Sequence, residues 1–123
     1  MLDHLGINVT DYARSREFYE KALAPLGITV LMEPIPGFGG LGKDGMPFFW
    51  LSDQREPTTK NVHVAFSAPD RATVDAFHDA AIAAGGTDNG GPGIREVYHP
   101  NYYGAFILDP DGNNIEACCH KPE

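Results

Sequence analysis

Residues 4–27 and 63–86 align on one another without a gap. Laying His4 on His63, an offset of 59 residues, brings Asp11 onto Asp70, Phe18 onto Phe77, Ala22 onto Ala81 and Gly27 onto Gly86. The paired positions are a strand residue, a helix cap, two residues of a helix face and a terminator, so the match follows the boundaries and core face of whole elements. A repeat at this spacing fixes the architecture before any finer detail does. Further along, Asp44-Gly45 pairs with Asp111-Gly112, which sets Phe49 opposite Glu116.

Each unit has the order strand, helix, strands. Leu2 to Val9 alternates apolar with polar or small residues, and Thr10-Asp11 caps a helix whose apolar stripe is Tyr12, Tyr19, Ala22, Leu23 and Leu26, stopped by Pro25 and Gly27. Ile28 to Met32 and Pro47 to Leu51 are strand-like, with a flexible glycine-rich loop expected over Pro36 to Gly45. In the second unit Asn61 to Ser67 is a strand, and Asp70 opens a helix with Val74, Phe77, Ala81 and Ile82 on one face. Strands are then expected over Ile94 to Tyr98, Tyr103 to Leu108 and Asn114 to His120, with a loose stretch from Gly85 to Gly93 and a turn over Asp109 to Asn114. These elements make a single domain over 1–123, divided into a first module, 1–55, and a second, 60–123.

Composition narrows the function. Seventeen acidic against nine basic residues leave a net charge of −8 with no cluster of Lys or Arg, which argues against nucleic acid and anionic membranes and in favour of a small-molecule partner. No apolar run nears the ~20 residues that span a bilayer, and Met1-Leu2-Asp3-His4 has no leader character, so a cytoplasmic location is expected. The adjacent Cys118 and Cys119 would point to opposite faces of a strand, poor geometry for a disulfide, and are expected as small buried apolar residues.

The last strand poses a chemical question, because Glu116 lies in a mostly apolar stretch. An unpaired buried carboxylate costs several kcal/mol or takes up a proton, whereas a metal ion keeps it ionised. The repeat places His4 and His63 equivalently, and two imidazoles with one carboxylate suit a divalent first-row ion such as Zn, Fe, Mn, Ni or Co, with open positions for water and substrate. Glu116 facing solvent or paired with His120 is the alternative. Near the proposed site, His99 and Tyr103 are candidate proton donors or acceptors, and Arg95, Tyr102, Phe49 and Trp50 are candidates to meet a substrate. For the two aromatics, core packing is the competing role.

The stretches "LDHLGINVTDYARSREFYEKAL", "VHVAFSAPDRATVDAFHDAAIAAGG" and "FILDPDGNNIEACCH" together resemble the vicinal oxygen chelate superfamily, which includes glyoxalase I, bleomycin resistance proteins and extradiol dioxygenases. The resemblance implies an α+β fold of two βαβββ modules whose curved mixed sheet cups a metal. It implies His4, His63 and Glu116 as the ligands and a homodimer in which ligands come from two chains. Glyoxalase I has a fourth carboxylate ligand on the last strand of its first module, where this chain has Phe48, Phe49 and Trp50. The function expected is a metal-dependent enzyme, similar to glyoxalase-like lyases and isomerases or dioxygenases, that chelates vicinal oxygens of a small substrate, with Glu116 also catalytic. The alternative is a non-catalytic binding protein similar to the bleomycin resistance proteins.

Overall fold

Asp11 and Asp70 cap the two helices as the sequence predicts. The Asp11 carboxylate accepts from the Arg14 amide at 3.1 Å and the Asp70 carboxylate from the Thr73 amide at 2.8 Å, opening α1 (Tyr12–Leu23) and α2 (Arg71–Ala83). A computed structural model describes residues 1–122. Around these helices run β1 (Leu5–Asn8), β2 (Thr29–Ile35), β3 (Phe38–Lys43), β4 (Met46–Ser52), β5 (His63–Ser67), β6 (Thr87–Ile94), β7 (Tyr103–Leu108) and β8 (Asn114–Cys119). They form two four-stranded mixed sheets with the same topology, β1-β4-β3-β2 and β5-β8-β7-β6, giving an α+β fold of two equivalent βαβββ units. In each sheet the first and last strands of the unit pair in parallel and the rest antiparallel, so β1 and β5 are both edge strands.

Two stretches expected to be irregular are strands. The glycine-rich run after Pro36 is β3, and most of Gly85 to Gly93 is β6. Glycine has no side chain to pack in a strand, but it lets another group lie close against the backbone. Gly40 shows the use: a Cβ there would stand 2.9 Å from the Trp50 indole, which lies over it. Conversely, only Ile94 of the strand expected over Ile94 to Tyr98 belongs to one, and the chain turns after it, with the Tyr98 and His99 amides both donating to the Arg95 carbonyl.

The register also corrects the repeat in its later part. Gly6 lies beside Trp50 and Ala65 beside Glu116, so the residue equivalent to Glu116 is Trp50, one position beyond the Phe49 that the Asp-Gly turns suggest. Strand alternation then separates the two aromatics. Phe49 points inward, fully buried, with its ring edge-on to Tyr19 at 4.9 Å and to Phe66 at 5.5 Å, so it ties α1 and both sheets into one core and has no surface to offer a ligand. Trp50 points outward.

The turn over Asp109 to Asn113 is anchored to α1. The Asp109 carboxylate accepts from the amides of Asp111 and Asn113, from the Asn113 side chain and from the buried Tyr19 hydroxyl, while Arg14 pairs with Asp111 at 3.1 Å. Burial, and then the Asp109 charge, push the Tyr19 hydroxyl well above the ordinary tyrosine range. A raised native value means that the folded chain keeps this proton after the unfolded chain has released it near pH 10, so stability falls as pH rises past that point, by about 1.4 kcal/mol per pH unit for one retained proton. Tyr19→Phe is therefore expected to cost roughly 1–3 kcal/mol at pH 7 through the lost charge-assisted hydrogen bond. The same change should flatten the loss of stability between pH 10 and 12, measured by urea unfolding across that range.

Candidate functional site

On β8 the side chains alternate. Ile115, Ala117 and Cys119 enter the core, and Glu116 and Cys118 face the opposite, outer side of the sheet. Glu116 is nonetheless 2% exposed, because neighbours on that face close over it. Tyr102 donates its hydroxyl to Oε2, and His63 at the start of β5 places Nε2 2.9 Å from Oε1. Phe106, opposite Glu116 on β7, stacks its ring beside the His63 imidazole at 6.1 Å. Gly104 leaves the room for this, since a Cβ there would come within 3.0 Å of Oε2 and 3.2 Å of the Tyr102 ring. Burial, then the hydrogen bond to Glu116, pushes the Tyr102 hydroxyl far above the usual tyrosine range, so it stays a donor. Burial also raises the Cys118 thiol, which keeps it protonated rather than nucleophilic.

The other ring nitrogen of His63 shows what this pair is suited to. Nδ1 lies 3.2 Å from the Asn114 carbonyl, which can only accept, so Nδ1 carries the proton. A neutral His63 then turns the lone pair of Nε2 towards a carboxylate oxygen that also has only lone pairs. Two acceptors 2.9 Å apart need either one proton shared between them or a metal cation. A histidine oriented by a backbone carbonyl and set beside a buried carboxylate is half of an N/O donor set for a first-row divalent ion.

His4, the third expected ligand, lies elsewhere. It immediately precedes β1 on the outer side of the first sheet, exposed, with Nδ1 2.7 Å from the Asp3 carboxylate. Among the described residues no three His, Cys, Asp or Glu side chains of one chain are grouped closely enough to hold an ion. His4 instead lines a cavity of about 630 Å³ with Gly6, Asn8, Phe38, Trp50 and Arg55. Trp50 and Phe38 stack there at 4.9 Å, 22° from parallel. The first sheet thus presents an aromatic where its twin presents Glu116, and it supplies no fourth carboxylate from that strand position.

The remaining candidates divide by face. Tyr103 turns towards the helices, donating to Asp75 on α2 at 2.6 Å beneath the Arg71 guanidinium, and this hydrogen bond raises its hydroxyl above the ordinary range. It does not meet Glu116, because adjacent residues project on opposite sides and Tyr102 takes that place. His99 is exposed at the rim, its Nδ1 accepting from the Asn101 amide and its ring 5.6 Å from His120, which in turn lies 4.9 Å from Tyr102. Arg95 spans Phe106 at 5.4 Å and donates to the Gly91 carbonyl at 2.7 Å, on the rim of the same face. Three site residues escaped the sequence: Phe38 and Gly40, hidden in a run that looks like a loop, and Arg55, an isolated charge beyond β4. The one signal for the first two was an aromatic within glycines, which in a strand marks close backbone approach.

Known proteins share this architecture. The profile of the Glyoxalase/Bleomycin resistance protein/Dioxygenase superfamily matches residues 1–117. A glyoxalase/bleomycin resistance protein from Albidiferax ferrireducens T118 is 30% identical, with 94% of this chain and 96% of that one covered and a TM-score of 0.83. An integron cassette protein from the mobile metagenome of V. cholerae is 26% identical over 98% of this chain and 95% of its own, with a TM-score of 0.69. A glyoxalase/bleomycin resistance protein/dioxygenase family enzyme from Burkholderia phytofirmans PsJN is 22% identical over 97% and 98%, TM-score 0.72, a likeness of fold. No curated protein matches the chain. With its profile matched over nearly the whole length and both four-stranded units in place, the chain belongs to the glyoxalase/bleomycin resistance protein/dioxygenase superfamily.

Proposed function

We propose that this chain is a metal-dependent enzyme acting on a small molecule with two adjacent oxygens, and that its site is completed by a second copy of the chain. The observation that carries this reading is the His63–Glu116 pair on the outer side of the second sheet, a half-exposed imidazole facing a buried carboxylate, two acceptors that a divalent cation reconciles. His63 and Glu116 supply two donors, and His4, at the equivalent position of the first sheet, supplies the third from the partner subunit. Both β1 and β5 are edge strands, so the first sheet of one copy has a strand edge to set beside the second sheet of the other. A divalent ion held there would polarise two neighbouring substrate oxygens as a Lewis acid.

The chain's own residues perform the rest. Tyr102 holds Glu116 in place through a proton it does not release near neutrality. Asp3 orients His4 as the Asn114 carbonyl orients His63. His99 and His120, at the rim beside Tyr102, are the groups positioned to pass protons between solvent and the site.

Complementation separates a shared site from one confined to a single chain. His4→Ala and Glu116→Gln should each lose bound metal alone, and co-expressed as mixed dimers they should regain part of it, because one of the two sites in a mixed dimer receives both native ligands. Elemental analysis of the purified mixture is the measurement. A monomeric protein, or a mixture as empty as its parents, would falsify the shared site, and a native chain that takes up no ion even after reconstitution would leave a ligand-binding cleft.

A further inference from the structure

The cavity on the first sheet carries more recognition chemistry than holding an ion requires. Its wall is the stacked Phe38–Trp50 pair, and the flat lie of the indole depends on Gly40 beneath it. Stacked rings offer a planar surface that favours a planar aromatic guest over a flexible aliphatic one. Arg55 also lines the cavity, exposed, and among the described residues it makes no ion pair or side-chain hydrogen bond. An unengaged guanidinium beside aromatic rings is a fork suited to a carboxylate or phosphate.

Strand direction orders these groups. β1 and β4 run parallel with Gly6 beside Trp50 and Asn8 beside Ser52, and Phe38 on β3 lies beside Ser52, so His4 marks one end, Trp50 the middle with Phe38 stacked on it towards Ser52, and Arg55, just past Ser52, the other end. From His4 to Asn8 the strand covers about 13 Å at ~3.3 Å per residue, room for a ring between the two polar ends.

We propose that this cavity selects an elongated aromatic substrate bearing an anionic group at the end remote from its reacting oxygens, the ring lying against Phe38 and Trp50 and the anion on Arg55. The assignment of the reacting end rests on the function proposed above, in which His4 belongs to the metal site. The chain's net charge of −8 repels anions in general, so a preference for an acid over its neutral analogue must arise locally, at Arg55.

The probes are 2-naphthoate and its neutral isostere 2-naphthamide, measured by equilibrium dialysis against the full-length protein in EDTA, so that neither depends on a bound metal. The native chain should bind the carboxylate about fivefold more tightly than the amide, the scale of a partly exposed charge pair. Arg55→Gln should abolish that preference, bringing carboxylate affinity down to that of the amide, and Trp50→Leu should weaken both probes with the far-UV circular dichroism unaltered. Equal affinities in the native chain, a preference that survives Arg55→Gln, or no saturable binding of either probe would each overturn the proposal. Selective naphthoate binding by a chain that takes up no metal would remove the metal reading and keep this one, and a metal-loaded chain indifferent to both probes would do the reverse.

Discussion

Phe49→Ala is expected to destabilise the protein by roughly 3–5 kcal/mol, the cost of emptying a fully buried phenylalanine site. For a domain of this size that corresponds to a fall in Tm on the order of 10–20 °C. Phe49 touches Tyr19 of α1 and Phe66 of β5 edge-on, so its removal opens a cavity at the junction of both sheets and loosens the helix that anchors the Asp109 turn. Calorimetry gives the magnitude, and naphthoate affinity below the unfolding transition should match the native protein's. A stable Phe49→Ala protein with impaired ligand binding would put Phe49 back at the site where its place in the sequence suggested it.

Glu116→Gln is expected to remove bound metal while leaving the fold intact. The amide keeps the size of the carboxylate and can still accept from Tyr102, but it lacks the charge that an ion needs. Because the loss is of a direct ligand, affinity should fall by more than the ~10–100-fold that follows loss of a supporting group around one. Competition against a fluorescent chelator gives the affinity, and urea unfolding the stability. Unchanged metal binding would leave the buried acid as a structural partner of His63 and Tyr102.

The sequence itself determined the duplicated order of elements, both helix caps, the buried stripes over Phe18 and Ala22 and over Phe77 and Ala81, the equivalent places of His4 and His63 at the start of each unit, and Glu116 on the last strand. These are local properties: a cap needs its own side chain three residues from an amide, and a helix face repeats every three or four residues whatever it packs against. Register was not local. A single residue's difference across the Asp-Gly turns moves every side chain of a strand to the other face, and it exchanged Phe49 for Trp50 at the position equivalent to Glu116. The same alternation gave Glu116 to Tyr102 and sent Tyr103 to Asp75. The glycine-rich strands β3 and β6 were hidden because they are held by their neighbours rather than by their own side chains. Tertiary structure alone decided that His4 stands on one sheet and His63 with Glu116 on another, because the core that Phe49 helps to fill lies between the inner faces of the two sheets and leaves their outer faces to separate surroundings.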